Sequence, residues 1–378
     1  MKILLCCDQP WVSGRFGASR VTLDLLDGLK RADADVSFFP PATNSFDRND
    51  FPRITANFLS KNAHKFDVVD YSYNTAPWID STKHSQTLKV ARIALLWHQR
   101  EQIHIPEGKH PTMTKYKQAV KRLLKKEISK SEIDAIYLNM DTNMEDADIV
   151  TVANTRDLSV LENLGYPRRK LELLPYGLTH DGFKRFEMAT DNSKNRKPIV
   201  AFVGTFDFRK GSLDFPYIVE NIVTSFPEFS FRFLGTRGMY QTAEKVLRQF
   251  PKRLREYIEV VETFDPLELP NLLSDCYAGV FPSYWEGFGI AVVEMLAAGL
   301  PTVAYDAPGP CDILPQEWLV PSGDKRALTF KLAKVLDDDQ IDRSRLQAIQ
   351  RSRDFNWDEI AKQTLEIYER SLTRIQEK

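Results

Sequence analysis

The richest chemistry in this chain lies in one string, Phe-Pro-Ser-Tyr-Trp-Glu-Gly-Phe-Gly-Ile-Ala-Val-Val-Glu-Met-Leu-Ala-Ala-Gly-Leu-Pro, from Phe281 to Pro301. It carries two carboxylates, Glu286 and Glu294, with Gly287, Phe288 and Gly289 between them. The apolar run from Tyr277 to Phe281 predicts a short buried strand, Pro282-Ser283 a turn, and the residues from about Ile290 a helix that Gly299 and Pro301 stop. Such a helix directs free backbone N–H groups and a positive dipole end at whatever lies above the strand. The two glycines let that ligand approach the backbone closely. Amides that bind anions, beside carboxylates that accept hydrogen bonds from hydroxyls, suit a ligand with both phosphates and many hydroxyls. A nucleotide sugar is such a ligand.

Two further groups stand where strands are expected to end. In Ile199-Val-Ala-Phe-Val-Gly-Thr-Phe-Asp-Phe-Arg-Lys-Gly211 a strand runs to Gly204 and a loop brings Arg209 and Lys210 next to Gly211. Adjacent cations of this kind can neutralise a diphosphate; a solvated turn pair is the alternative. His98 closes the apolar run from Ala91 to Trp97, and strand ends in open α/β sheets face the ligand crevice. In the first βα connection, Ser13-Gly14-Arg15-Phe16-Gly17-Ala18-Ser19 reads as an open loop that turns Gly14, Arg15 and Gly17 toward a cleft. It is not the G-x-G-x-x-G dinucleotide fingerprint, which disfavours an NAD enzyme.

The elements that must position these groups alternate strand and helix, the mark of parallel α/β sheets. Strands are expected at Ile3–Cys7, Val36–Phe39, Val68–Tyr71, Ala91–Trp97, Ile149–Val152 and Leu171–Pro175. After a polar stretch the pattern restarts at Ile199–Val203, Phe231–Leu234, Ile258–Val261, Gly279–Phe281 and Thr302–Tyr305. The chain has 378 residues, enough for two domains. The expected division is residues 1–189, a linker at 190–198, a second domain at 199–356, and a final helix at 357–378 that could cross back to the first domain.

The Glu286–Glu294 string resembles the Glu-x7-Glu motif of retaining glycosyltransferases with two Rossmann-like domains, the GT-B fold, and specifically family 4. The flanking Pro-Ser, Glu-Gly-Phe-Gly and Ala-Gly-x-Pro make the match specific. The resemblance implies a GT-B fold with a central cleft and a metal-independent transfer of a hexose from a UDP- or GDP-sugar to a hydroxyl of a glycan or lipid-linked glycan. It implies donor binding by Gly204, Arg209, Lys210, Glu286, Gly287, Phe288, Gly289 and Glu294. Glu294 would take the ribose, Lys210 the diphosphate, and Glu286 and His98 the sugar. Three positions depart from the family pattern: Thr205 stands where the family has Arg, and Tyr176 and Thr179 fall in its Pro-Asn-Gly-Val-Asp turn. On the same fold an epimerase, a sugar phosphorylase or a non-catalytic binding protein remain as alternatives.

Composition is that of a globular protein, 43% hydrophobic and 27% charged. No window approaches a membrane span, so membrane contact is expected to be peripheral and the protein cytoplasmic. Cys6, Cys7, Cys276 and Cys311 show no disulfide or metal spacing. Asp33-Ala34-Asp35 reads as a surface turn, and no metal or other cofactor is expected. Residues 1–196 hold 29 Lys and Arg against 25 Asp and Glu, so the acceptor half is the more basic. Within it, Lys109 to Lys130 reads as a basic amphipathic helix, open to two readings: contact with anionic lipid, or an ordinary surface helix. Nothing combines strong positive charge with aromatic stacking positions, so nucleic acid is not an expected partner.

Overall fold

Short β-branched and aromatic runs, buried on both faces, build two parallel sheets. The computed structural model of the chain describes residues 1–7, 17–40, 50–78, 86–106, 130–192 and 196–377. The loop residues Gly14 and Arg15 and the basic stretch at 109–129 lie outside the described residues. The first sheet holds β1 (Lys2–Cys6), β2 (Asp35–Phe39), β3 (Val68–Ser72), β4 (Leu88–Arg92), β5 (Ile149–Val152) and β6 (Leu171–Leu173). The second holds β7 (Ile199–Val203), β8 (Ser230–Leu234), β9 (Ile258–Val261), β10 (Ala278–Phe281), β11 (Thr302–Asp306) and β12 (Leu319–Pro321). Strand order is β2-β1-β3-β4-β5-β6 in one sheet and β12-β11-β10-β7-β8-β9 in the other. All pairings between these strands are parallel, as in β1 with β3 and β10 with β7. This is the expected α/β architecture of two Rossmann-like domains.

The strand order decides where a ligand can sit. In the second sheet it reverses between β7 and β10, and in the first between β1 and β3. Adjacent loops diverge at such a switch point and leave a crevice beyond the carboxyl ends of the strands. The loops after β7 and β10 are the ones that carry Lys210 and Glu286.

Two expected boundaries move. Strand β4 ends at Arg92 rather than at Trp97. Beyond the last ladder bond, Ile93 N to Thr151 O at 2.9 Å, the Tyr73 hydroxyl takes over. It donates to Leu95 O at 2.7 Å and accepts from Trp97 N at 3.1 Å, so His98 falls in a 3-10 turn, Trp97–Glu101. The chain also enters the second domain earlier than the polar stretch at 190–198 implies. The helix His180–Asn192 packs on the helices Leu269–Ser274 and Ile290–Ala297, with Phe186 buried. Arg196, expected in a linker, is tied down by the carbonyls of Cys276 and Ala298 at 3.0 and 2.9 Å.

The chain crosses between domains twice, and the crossings are bonded together. Leu178 N donates to Phe355 O at 2.9 Å, and Trp357 N donates to Leu178 O at 3.1 Å. The final helix, Trp357–Gln376, starts at this bridge, where the Asn356 side chain caps it by accepting from Asp358 N at 2.8 Å. It returns to the first domain and lies along the helix Gly17–Arg31. Ile367 and Tyr368 enter the core formed by Ile3, Val68, Leu88 and Val90. Burying each large side chain of this kind contributes ~2 kcal/mol. The Tyr368 hydroxyl donates to Asp70 Oδ2 at 2.6 Å inside that core.

Tyr368→Phe leaves the apolar contacts and removes this bond from a buried carboxylate. The variant is expected to lose ~1–3 kcal/mol in urea unfolding. An unchanged midpoint would mean that this bond adds no net stability to the returning helix.

Candidate active site

Glu286 sits in the loop after β10 and is buried, at 6% exposure. Its Oε1 lies 2.6 Å from Lys210 Nζ and its Oε2 3.1 Å from Arg209 Nη1. The Ser283 hydroxyl also donates to Oε1, and Arg209 makes a second bond, to Trp285 O at 2.7 Å. Burial by itself would raise the Glu286 carboxyl. The charges of Lys210 and then Arg209 outweigh that and hold it at about 2. On Lys210, burial acts first and lowers the ammonium, against the pull of Glu286.

The two loops can share this cluster because they touch backbone to backbone. At Gly211 a Cβ would stand 2.2 Å from Pro282 O, so only glycine fits. Tyr284 N donates to Arg209 O at 2.9 Å, which zips the loops together. Below them Asp214 Oδ2 accepts from Tyr284 at 2.6 Å and from Tyr305 at 2.9 Å, tying in the end of β11. Gly204 ends β7 beside the Lys210 stem. Thr205, where the family usually has Arg, donates to Asp207 Oδ2 at 2.6 Å, and Asp207 Oδ1 accepts from Lys210 N at 3.1 Å. Thr205 thus shapes the turn that carries Lys210.

The motif helix runs Ile290–Ala297, starting where its sequence pattern predicts. Gly289 caps it at φ 93°, a left-handed conformation, with no side chain among the described residues bonded to the first amides. Glu294 is buried on this helix, at 4% exposure. Its Oε1 accepts from Arg20 Nη1 at 2.5 Å. Arg20 lies in the first-domain helix Gly17–Arg31, which Gly17 opens, and no motif pointed to it. Asp24, one turn on and 3.6 Å from Arg20, is pushed up to about 6, chiefly by burial. Phe288 packs edge-on against Tyr176 and Phe355, at 5.5 Å between ring centres in each pair, so it joins the aromatic residues of the crossing. Gly287 faces the first domain: a Cβ there would come 1.7 Å from Ala94 O.

His98 does not join this cluster. Its Nε2 lies 3.0 Å from Asp141 Oδ1, and its ring meets Tyr137 at 5.2 Å, both on the helix Lys130–Asp146 of its own domain. Its neighbour Trp97 crosses instead, edge-on to Trp285 at 5.7 Å. Other polar contacts close the interface. Asn154 Nδ2 donates to Gly287 O at 2.6 Å, and Thr155 donates to Asp312 through its amide and its hydroxyl, both at 2.6 Å. Among the described residues no group of three or more His, Cys, Asp or Glu could hold a metal ion. Nor is any helix there long and apolar enough to cross a membrane.

Behind this interface Asp157 is pushed up to about 7 by burial, against hydrogen bonds from Asn154 and Gln99. A carboxyl raised on folding stabilises the protein below its unfolded pKa, and that contribution is lost as pH rises through the folded value. Stability should therefore fall between about pH 4 and pH 7. Asp157→Asn should flatten this fall in a series of melting temperatures. An identical slope in the variant would remove Asp157 from the account.

Comparison with known proteins bears on the same segment. Residues 183–355 match the family model "Glycosyl transferases group 1". A D-inositol 3-phosphate glycosyltransferase of Nocardioides is 32% identical over 125 residues, 31% of this chain and 27% of that protein. An α-(1→4)-mannosyltransferase of Mycolicibacterium hassiacum is 31% identical over 117 residues, 29% of this chain and 28% of that one. These matches span little more than a quarter of either relative. Among solved structures, a sucrose-phosphate synthase of Thermosynechococcus elongatus superposes with a TM-score of 0.75 at 18% identity, covering 99% of this chain and 100% of that one. The Anabaena protein HepE, solved with UDP-glucose, gives 0.66 at 15% identity over 97% and 98%. At such identity the likeness shows the fold alone. On a chain with the GT-B fold, the segment built around Lys210, Glu286 and Glu294 belongs to the glycosyl transferases group 1 family.

Proposed function

We propose that this chain is a retaining glycosyltransferase that moves a hexose from a nucleotide-diphosphate sugar to a hydroxyl of a glycan or lipid-linked glycan. The observation that carries the reading is the cluster of Glu286, Lys210 and Arg209, the first two buried and Arg209 partly exposed, at the mouth of a helix whose first amides have no side-chain cap among the described residues. The nucleotide rests on the second domain, with its ribose hydroxyls donating to Glu294. The acceptor hydroxyl oxygen bonds to the anomeric carbon on the face from which the diphosphate departs. The carbon–oxygen bond to the phosphate breaks, the pair stays with the diphosphate, and the acceptor proton follows it. Lys210, Arg209 and the amides after Gly287 carry the charge that grows on the leaving group. Glu286 holds the two cations and faces the sugar. His98 is not part of the Glu286 cluster: its Nε2 lies 3.0 Å from Asp141 Oδ1, and neither ring nitrogen has a hydrogen-bond partner among the described residues. Neither a metal nor a cofactor takes part.

HepE was solved with UDP-glucose, and the pneumococcal GtfA with UDP and GlcNAc, so a uridine nucleotide is the first donor base to try. The basic balance of the first half suits an acceptor that bears phosphate, such as a lipid-linked glycan on an anionic membrane surface.

A thermal-shift panel of UDP, GDP, ADP and their hexose conjugates tests the reading directly. Selective stabilisation by one nucleotide is expected; no shift with any of them sinks it. With the donor so found, Lys210→Ala should lower kcat by ~100-fold or more with the fold intact, the scale for losing one transition-state donor. Unchanged turnover would remove Lys210 from the phosphate site. Donor hydrolysis or transfer should survive a chelator, and its abolition by EDTA with rescue by Mg²⁺ would overturn the metal-free scheme.

A further inference from the structure

Arg20 connects the two domains at the carboxylate assigned above to the ribose. It lies in the first turn of a first-domain helix, yet its Nη1 donates to Glu294 Oε1 in the second domain at 2.5 Å. The Glu294 side chain is 5% exposed and that of Arg20 24%, so the pair is largely out of water. Arg20 is itself held from behind, with Nε 3.6 Å from Asp24 Oδ2. Glu294 Oε2 has no donor among the described residues. One oxygen of this carboxylate is therefore taken by the opposite domain, and the other is open.

We infer that Arg20 is a donor-positioning residue: from the first domain it fixes the Glu294 carboxylate so that Oε2 receives the ribose hydroxyls of the nucleotide. The inference rests on the nucleotide-sugar reading of the site. Its physical basis is the cost of a buried carboxylate without a partner. Such a group turns toward water and stops being a well-placed acceptor. A charge-assisted bond from Arg20 prevents this and sets the side chain before the nucleotide arrives. The ribose subsite is then complete only when the domains are together. Nucleotide binding and domain closure become one event, although Glu294 belongs to the second domain alone.

Calorimetric titration of the full chain with UDP and with uridine tests this, or with GDP and guanosine if the wild type selects guanine. Uridine keeps the ribose and lacks the phosphates. Arg20→Gln should weaken both ligands by the same factor, about tenfold or more, as for a lost charge-assisted bond. Arg20→Lys should recover most of the affinity. Glu294→Gln should weaken both ligands, and adding Arg20→Gln to it should cost no more, because the two side chains act as one unit. Losses that add, a loss confined to UDP, or an Arg20→Gln variant that binds as well as or better than wild type would each overturn the inference. The first would make Arg20 independent of Glu294, the second a phosphate ligand, the third a plug in the subsite. A wild type that binds no nucleoside diphosphate would bring down the nucleotide reading and this inference with it. A wild type that binds UDP beside an unaffected Arg20→Gln variant would bring down the inference alone.

Discussion

Much of the second domain's architecture follows from keeping Glu286 ionised while buried. A carboxylate taken out of water costs several kcal/mol unless cations and hydrogen bonds replace the lost hydration. Lys210 and Arg209 supply the cations, but they sit on a different loop. That loop must press against the one carrying Glu286 until backbones touch, as they do at Gly211 and Pro282. The Asp214, Tyr284 and Tyr305 bonds hold the pressed loops from below. Loops can meet in this way and still leave a crevice only where β7 and β10 are neighbours while their connections leave in opposite directions. The chemistry and the topology thus select the same place.

The domain interface is built of two unlike halves. Around the crossing, Tyr176, Phe288, Phe355 and Trp357 pack as an aromatic cluster beside the hydrogen-bonded bridge at Leu178. Further out, the contacts are polar: Asn154 to Gly287, Thr155 to Asp312, Arg156 to Asp306, Arg20 to Glu294. Separating the aromatic cluster would expose apolar surface, whereas each polar contact broken must be replaced by water. The firm, apolar half lies at the crossing and the polar half lies outside it. Phe288 belongs to the firm half, yet it lies between Gly287 and Gly289 in the loop of the motif. The geometry of that loop is therefore set by the crossing as well as by the sheet beneath it.

What was legible in the sequence is what spacing can express. The start of the motif helix at Ile290, the strand–turn–helix order around Glu286 and the glycine next to Lys210 are local patterns of period and turn chemistry. The two-sheet fold was legible for the same reason, since alternating buried strands and amphipathic helices repeat along the chain. Arg20 was not legible, because its partner Glu294 lies 274 residues away and nothing in its own helix marks it. The same holds for Asn154, which caps its own helix by accepting from the Asp157 amide while its Nδ2 reaches Gly287 O. His98 was misplaced because an apolar run does not reveal that a tyrosine hydroxyl will end the strand early. The helix His180–Asn192 was assigned to the wrong side because composition marks flexible stretches, whereas a domain boundary depends on which surface a helix buries.

One property of the Glu286 cluster bears on the proposed transfer. Counting only the three side chains in contact, two cations and one carboxylate, the trio keeps a unit of positive charge before any ligand arrives, with Asp207 bonded to the Lys210 amide behind it. The diphosphate of a nucleotide sugar carries about two negative charges and the departing nucleoside diphosphate about three, before the acceptor proton reaches it. A fixed surplus of positive charge in a buried site is worth more against the second state than the first. In the proposed transfer it would stabilise the separating pair more than the bound donor, which would lower a barrier rather than only tighten binding. Had Glu286 been absent, the two cations would grip the donor more strongly, but their burial would be uncompensated in the empty protein and their positions unset. On the proposed function, the carboxylate would reduce the charge to what the change in the leaving group requires and hold the cations where that change occurs.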